Sequence, residues 1–192
     1  MISVCINSPG GWPRSRLRDA SVASECQTRA VTLSEADLSH LRRCVELARE
    51  GLDDGDEPFG SVLVSAGGEV LFEDRNRVKD GDATRHPEFE ISRWAAAHLS
   101  PTERATAVVY TSGEHCPMCS ASHGWVGPGR IVYAGSTEQL LVWAAERGVP
   151  AGPVAPLPIQ EIVPDAVVDG PALVFAEELR ALHVRRWERD GV

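Results

Sequence analysis

Long apolar runs, a basic excess and an even set of cysteines are all missing from this 192-residue chain. No stretch approaches the ~18 apolar residues that a membrane helix needs, so no membrane span or membrane partner is expected. Lys and Arg number 19 against 28 Asp and Glu, a net charge of −9. Binding along a polyphosphate backbone needs clustered cations, so nucleic acid is not an expected partner. Five cysteines cannot all pair, and two of them stand in a single C-x-x-C. A disulfide framework is therefore not expected, and the chain reads as a reduced, cytoplasmic protein. Residues 1–31 offer no apolar h-region, so no secretory signal is expected there. Pro9, Gly10, Gly11 and Pro13, then Arg14, Arg16 and Arg18, break any regular period. They read as a flexible N-terminal extension to a single domain over residues 32–192.

Regularity begins at Thr32. Leu38, Leu41, Val45, Ala48 and Leu52 step along one face of an amphipathic helix. Either Thr32 with Glu35 or Ser34 with Asp37 supplies its capping box. Val62-Leu63-Val64, a Gly67-Gly68 turn and Val70-Leu71-Phe72 then read as a hairpin. A helix over 85–98, a continuous apolar strand over 107–110, a helix from Cys116 and a strand over 131–133 follow. A helix over 138–147, a proline-rich connector, a short strand over 159–163 and a last helix over 171–188 complete the order. The fold class expected from this alternation is α/β. It is a three-layer α/β/α arrangement, with helices on both faces of a five-stranded mixed sheet. Phe175, Leu179, Leu182 and Trp187 give the last helix an apolar face too large to leave in water, which suggests a second subunit.

Two short stretches carry chemistry. His86-Pro87-Glu88 and Cys116-Pro117-Met118-Cys119 lie 30 residues apart, counted from His86 to Cys116. They offer one imidazole, two thiols and one carboxylate. A structural zinc is closed by four protein ligands, whereas a catalytic zinc keeps a position for water. Three good ligands, His86, Cys116 and Cys119, with a carboxylate two residues after the histidine, fit the open kind. If a strand runs into the helix at Cys116, both cysteines fall in its first turn, on one face. The positive end of the helix favours their thiolates. Pro87 in the first turn of its own helix costs nothing, since that N–H has no helical partner. Glu88 points away from His86 around a helix, so it is expected to carry protons rather than to bind metal.

The motif set H-x-E…C-x-x-C is close to the zinc deaminase signature. The longer runs make the likeness specific. Pro58-Phe59-Gly60-Ser61-Val62-Leu63-Val64, Asn76-Arg77-Val78, His86-Pro87-Glu88 and Tyr110-Thr111-Ser112-Gly113-Glu114-His115-Cys116-Pro117-Met118-Cys119 together resemble the cytidine deaminase-like superfamily. Within it the chain looks most like the guanine deaminase and cytosine deaminase branch, over roughly residues 36–136. The resemblance implies one zinc per chain on His86, Cys116 and Cys119, with Glu88 shuttling protons. It implies that Asn76 grips the base edge, Phe59 forms a stacking wall and Trp125 helps close the pocket. An acidic residue after the strand over 131–133 assists purine deamination in guanine deaminases, and Glu138 is the nearest candidate. The resemblance also implies a homodimer. In this chain Pro87 stands where the family usually has Ala.

The expected activity is hydrolytic deamination of a free nucleobase or related heterocycle, with release of ammonia. Guanine is the first expectation, and cytosine or an amino-s-triazine fits the same grip. No glycine loop that would cradle a phosphate lies near the motifs. The alternatives are a cytidine- or deoxycytidylate-type deaminase, a tRNA adenosine deaminase, for which the net charge is unfavourable, and a zinc-stabilised module without activity.

Overall fold

The computed structural model describes residues 33–192, so the extension expected over 1–31 and the cap expected at Thr32 lie outside the described residues. Helix α1 (Glu35–Asp53) opens on the second of the two capping boxes. Ser34 Oγ accepts from the Asp37 N–H while the Asp37 carboxylate accepts from the Ser34 N–H. Four of the five stripe residues, Leu41, Val45, Ala48 and Leu52, are buried, and Cys44 joins them with a fully buried thiol. Strands β1 (Gly60–Val64) and β2 (Val70–Arg75) form the expected hairpin, turning through Gly68 at φ +85°, where a side chain would be strained. Helix α2 (Pro87–His98) follows. Helix α3 (Pro101–Thr106) was not foreseen, although Ser100 and Glu103 make a full capping box around Pro101. Strand β3 (Val108–Gly113), helix α4 (Pro117–Val126), strand β4 (Ile131–Gly135) and helix α5 (Thr137–Glu146) come next.

The five strands lie in the order β2-β1-β3-β4-β5. β1 runs antiparallel to both β2 and β3, whereas β3, β4 and β5 run parallel, so the sheet is mixed as expected. Alternation along the strands sorts the core into two layers. Val62, Val64, Tyr110 and Val132 pack with Leu41, Val45 and Ala48 of α1 on one face. Their neighbours Leu63, Val109 and Ile131 pack with Ile91 and Ala95 of α2 on the other. At Gly60 the helix lies so close that a Cβ would stand 2.4 Å from the Leu47 Cβ and 2.5 Å from the Cys44 carbonyl. Only glycine permits that approach.

Two expectations for the C-terminal part are corrected. Residues 159–163 are not a strand: Ile159–Ile162 is the short helix α6, started by Pro158. Its apolar residues Ile159, Ile162 and Val163 are spaced by three and then one, which is not the alternation of a strand. Ile159 fills the core beneath α2. The fifth strand is instead β5 (Val168–Asp169), a two-residue pairing with β4 that is too short to show a period. Helix α7 (Ala176–Asp190) begins after a 3-10 turn at Leu173–Phe175, later than expected. Its apolar face is not left open. Phe175, Leu179 and Leu182 pack into the α1 side of the core, and Trp187 is equally buried, so this face gives no argument for a partner. Among the described residues no helix is long and apolar enough to cross a membrane.

Candidate active site

The sheet's switch from antiparallel to parallel lies at β3, and the chemistry-bearing residues gather around the end of that strand. His86 is the N-cap of α2 and Cys116 the N-cap of α4, each in extended backbone and each followed by proline at the first helical position. A residue before proline is driven to such extended angles. Cys119 sits one turn into α4 and is fully buried. His86 Nδ1 is 3.6 Å from each sulfur, and the sulfurs are 3.5 Å from each other. Zinc bonds of about 2.3 Å to sulfur and about 2.0 Å to nitrogen, arranged as a tetrahedron, put ligand atoms roughly 3.5–3.8 Å apart. The triangle therefore already has the edges of such a site, with no fourth ligand among the described residues. No other grouping with metal-holding geometry occurs among the described residues.

Electrostatics divide the two sulfurs: the hydrogen bond with Cys116, burial and the nearby Glu88 push the Cys119 thiol up, against the expectation of two thiolates. The neighbouring Cys119 thiol, with help from His86, pulls the Cys116 pKa down to about 4, so that sulfur is ready as thiolate. Burial opposes charge on His86, yet its hydrogen bond to Cys116 and the nearby Glu88 raise it to about 9 in the absence of metal. A bound dication would take the place of that proton. The ring of His115 is buried with neither nitrogen paired, and burial keeps it neutral, 5.5 Å from the ring of His123.

Glu88, in the first turn of α2, is buried beside the triangle. Its Oε1 accepts a 2.8 Å hydrogen bond from Thr111 Oγ1, and Ser61 Oγ lies 2.9 Å from that same hydroxyl. Burial pushes the carboxyl upward, while His86 and the Thr111 hydroxyl restrain it. An upward shift is the direction in which a carboxyl becomes a better proton carrier near neutral pH. The role of Thr111 escaped the sequence reading. The available signal was a hydroxyl on the buried face of β3, in step with Val109.

A cleft of about 160 Å3 opens onto His86, Glu88 and Cys116, with Phe59 on one wall and Val154 to Leu157 of the proline-rich connector on another. Glu114 also lines it and was missed. Its Oε2 accepts from the Thr137 N–H at the start of α5, and its Oε1 accepts from the Ile159 N–H just after the connector. Asn76 follows β2 and is fully buried. Its N–H donates to the Phe59 carbonyl, its Oδ1 accepts from the Val78 N–H, and its Nδ2 has no partner. Asn76 does not itself line the cleft.

Two expected residues stand elsewhere. Trp125 is 90 % exposed near the end of α4 and does not line the cleft. Six residues past Cys119, it lies about 120° around the helix from the sulfur. Glu138 is exposed in the first turn of α5, where its neighbours Thr137 and Leu140, not Glu138, face the cleft. The carboxylate on that wall is Glu114 instead.

Comparison with known proteins agrees with this geometry. Residues 34–135 match the cytidine and deoxycytidylate deaminase zinc-binding region. A probable cytosine deaminase of Schizosaccharomyces pombe is 34% identical over 116 residues, which cover 60% of this chain and 70% of that one. A guanine deaminase of Bacillus subtilis is 36% identical over 95 residues, 49% of this chain and 61% of the relative's length. The structure of a guanine deaminase from Nitrosomonas europaea shares the fold, with a TM-score of 0.61 at 19% identity, over 81% of this chain and 86% of that one. A zinc-binding region that spans β1 to β4, and a third of the aligned residues in common with a cytosine deaminase, place this chain in the cytidine and deoxycytidylate deaminase family, as a zinc-dependent hydrolytic deaminase.

Proposed function

We propose that the protein deaminates a free heterocyclic base, guanine first, with cytosine or an amino-s-triazine as further substrates. The carrying observation is the cleft itself. A buried carboxyl and the His86–Cys116 edge meet there under an apolar connector, and no Arg or Lys is among the described residues lining it. A phosphate-bearing substrate would leave its charge without a partner in such a site. The guanine deaminase and cytosine deaminase relatives act, by their names, on free bases.

His86, Cys116 and Cys119 are assigned as the zinc ligands. When bound, the zinc lowers the pKa of water toward ~7 and so supplies a nucleophile at neutral pH. Glu88 receives the proton released by the attacking water and passes protons to the ring nitrogen and to the departing amino group. Oxygen joins the amino-bearing carbon, the carbon–nitrogen bond breaks and ammonia leaves. Thr111 holds the Glu88 carboxyl in place for both transfers. Phe59 is assigned the stacking wall, and the free Asn76 Nδ2 is assigned to an acceptor on the base edge. The deaminase domain is assigned to residues 32–192.

We also assign a homodimer, for which the family resemblance speaks. Sedimentation as a monomer at micromolar concentration would remove that assignment. The activity is tested by ammonia release from guanine, cytosine and ammeline, set against cytidine and deoxycytidylate. Turnover of one or more bases is expected; turnover of the nucleoside or nucleotide alone would overturn the reading.

A further inference from the structure

Strands β3 and β4 both end on glycine, Gly113 beside Gly135, so neither strand end puts a side chain into the space above them. The φ of Gly113 is not positive, so its backbone does not itself call for glycine. Space does. Chain neighbours aside, a Cβ on Gly113 would meet one side chain within 4 Å: Phe59, with Cε1 at 2.9 Å and Cδ1 at 3.1 Å. Carbon atoms pack at roughly 3.5–4.0 Å, so the ring occupies the room that the missing side chain leaves. Phe59 lines both the cleft over His86, Glu88 and Cys116 and a smaller recess of about 30 Å3, whereas Gly113 lines the recess and not the cleft. The ring therefore stands between the glycine and the cleft. Its backbone has no slack with which to retreat. The Phe59 carbonyl accepts from the Asn76 N–H at 2.9 Å, and the next residue, Gly60, lies against α1 too closely for a Cβ. His183 meets the ring edge-on, with centroids 5.2 Å apart. The room left to a displaced ring is the cleft, of about 160 Å3.

We propose that Gly113 is a specificity-determining residue: by lacking a side chain it lets the Phe59 ring lie back against the end of β3, and so leaves the cleft deep enough for a two-ring base. This rests on the free-base reading above, with Phe59 as the stacking wall. A methyl group at position 113 drives the ring forward by about 1 Å, the step from 2.9 Å to ordinary contact. Guanine has two fused rings, whereas cytosine and ammeline have one each. The lost depth then falls on the larger base. No atom of Glu88 or of the assigned zinc ligands lies within 4 Å of the added methyl group, so the chemistry is not disturbed directly.

The test is equilibrium dialysis of guanine, cytosine and ammeline against zinc-loaded protein carrying Glu88→Gln, which binds without turning over. Added to it, Gly113→Ala is expected to weaken guanine about tenfold and to leave cytosine and ammeline within about twofold. Phe59→Val removes both ring atoms that the methyl group would strike. In that background Gly113→Ala should cost guanine less than about twofold, a coupling that a general loosening of β3 would not produce. Should Gly113→Ala not fold, Phe59→Trp crowds the same contact from the side of the ring and carries the same expectation for the three bases. Equal losses for all three bases, no loss for guanine, or a loss that persists in the Phe59→Val background would each overturn the proposal. Binding of cytosine or ammeline without guanine would also overturn it, and would leave the free-base reading standing. If the Glu88→Gln protein binds none of the bases, the free-base reading fails and takes this inference with it.

Discussion

The roles proposed for Glu88 and for the three assigned ligands are separate, so each can be removed alone. Glu88→Gln is isosteric and keeps the Thr111 hydrogen bond within reach, but an amide cannot ferry protons. Zinc content and melting temperature should stay near the parent's, while kcat falls by about 10²–10⁴ or more. Residual activity within tenfold of the parent would assign the proton transfers to another group. Cys116→Ala or Cys119→Ala should instead lose the metal, since two ligands in a 3.6 Å pair hold zinc far less well than the closed triangle. Elemental analysis after dialysis decides it: a full complement of zinc in either variant would break the ligand assignment. That these residues come together was legible in the sequence, because the two motifs are tied to local spacing. H-x-E and C-x-x-C each fit within one helical turn, and the prolines mark where each turn begins. Glu114 was not legible as a residue of the cleft, since a carboxylate bridging two distant helix starts has no short-range signature.

Helices and strands with a full period were equally readable, as the α1 stripe and the β1–β2 hairpin show. The failures fell on pieces of two to six residues: α3, α6 and β5 are shorter than the window over which a period can be recognised. α3 carries its own local capping box, whereas α6 and β5 are placed by contacts made from far along the chain, and Glu114 is one such contact. Both of its oxygens are engaged by backbone N–H groups, one opening α5 and one opening α6, and the connector that lips the cleft ends between them. Glu114→Ala frees both helix starts. The expected result is a KM raised about tenfold or more with kcat nearly kept, because the cleft wall loosens while Glu88 and the metal stay in place. Faster proteolysis within residues 150–158 should accompany it. An unchanged KM together with unchanged proteolysis would show that the connector is held by its own apolar contacts.

Asp37 ties the layers together. One carboxylate caps α1 at Ser34, accepts from Tyr110 Oη on β3 at 2.8 Å and from Arg130 at the head of β4 at 2.7 Å; Arg130 in turn reaches Asp169 on β5. Burial alone would raise the Asp37 pKa, but the hydrogen bonds from Arg130, Ser34 and Tyr110 hold it well below the ordinary carboxylate range. A group whose pKa is lower when folded stabilises the protein above its unfolded value of ~3.9, and that contribution fades as pH falls toward the depressed value. Asp37→Asn should therefore cost about 2 kcal/mol at pH 7, and the gap to the parent should narrow below pH 4. Urea melts at pH 7 and pH 3 measure both. A gap that stays constant with pH would mean that the charge on Asp37 contributes nothing beyond its hydrogen-bonding shape.

The pairing of each capping ligand with a proline has a consequence for the order in which the protein is assembled. His86 and Cys116 are held in extended backbone by Pro87 and Pro117 before any ion arrives, and the same bias acts on the unfolded chain. Less freedom then remains to be lost on loading, and the cores on both faces of the sheet are built from side chains other than His86, Cys116 and Cys119. The chain should behave as a ready receptor that folds first and takes up zinc afterwards, unlike small fingers whose folding waits for the ion. Metal-stripped protein is expected to unfold cooperatively and to regain full zinc on simple addition. Pro87→Ala and Pro117→Ala should each weaken zinc about threefold in competition with a chromophoric chelator, with every ligand still present. An apoprotein without a cooperative transition would reverse that order.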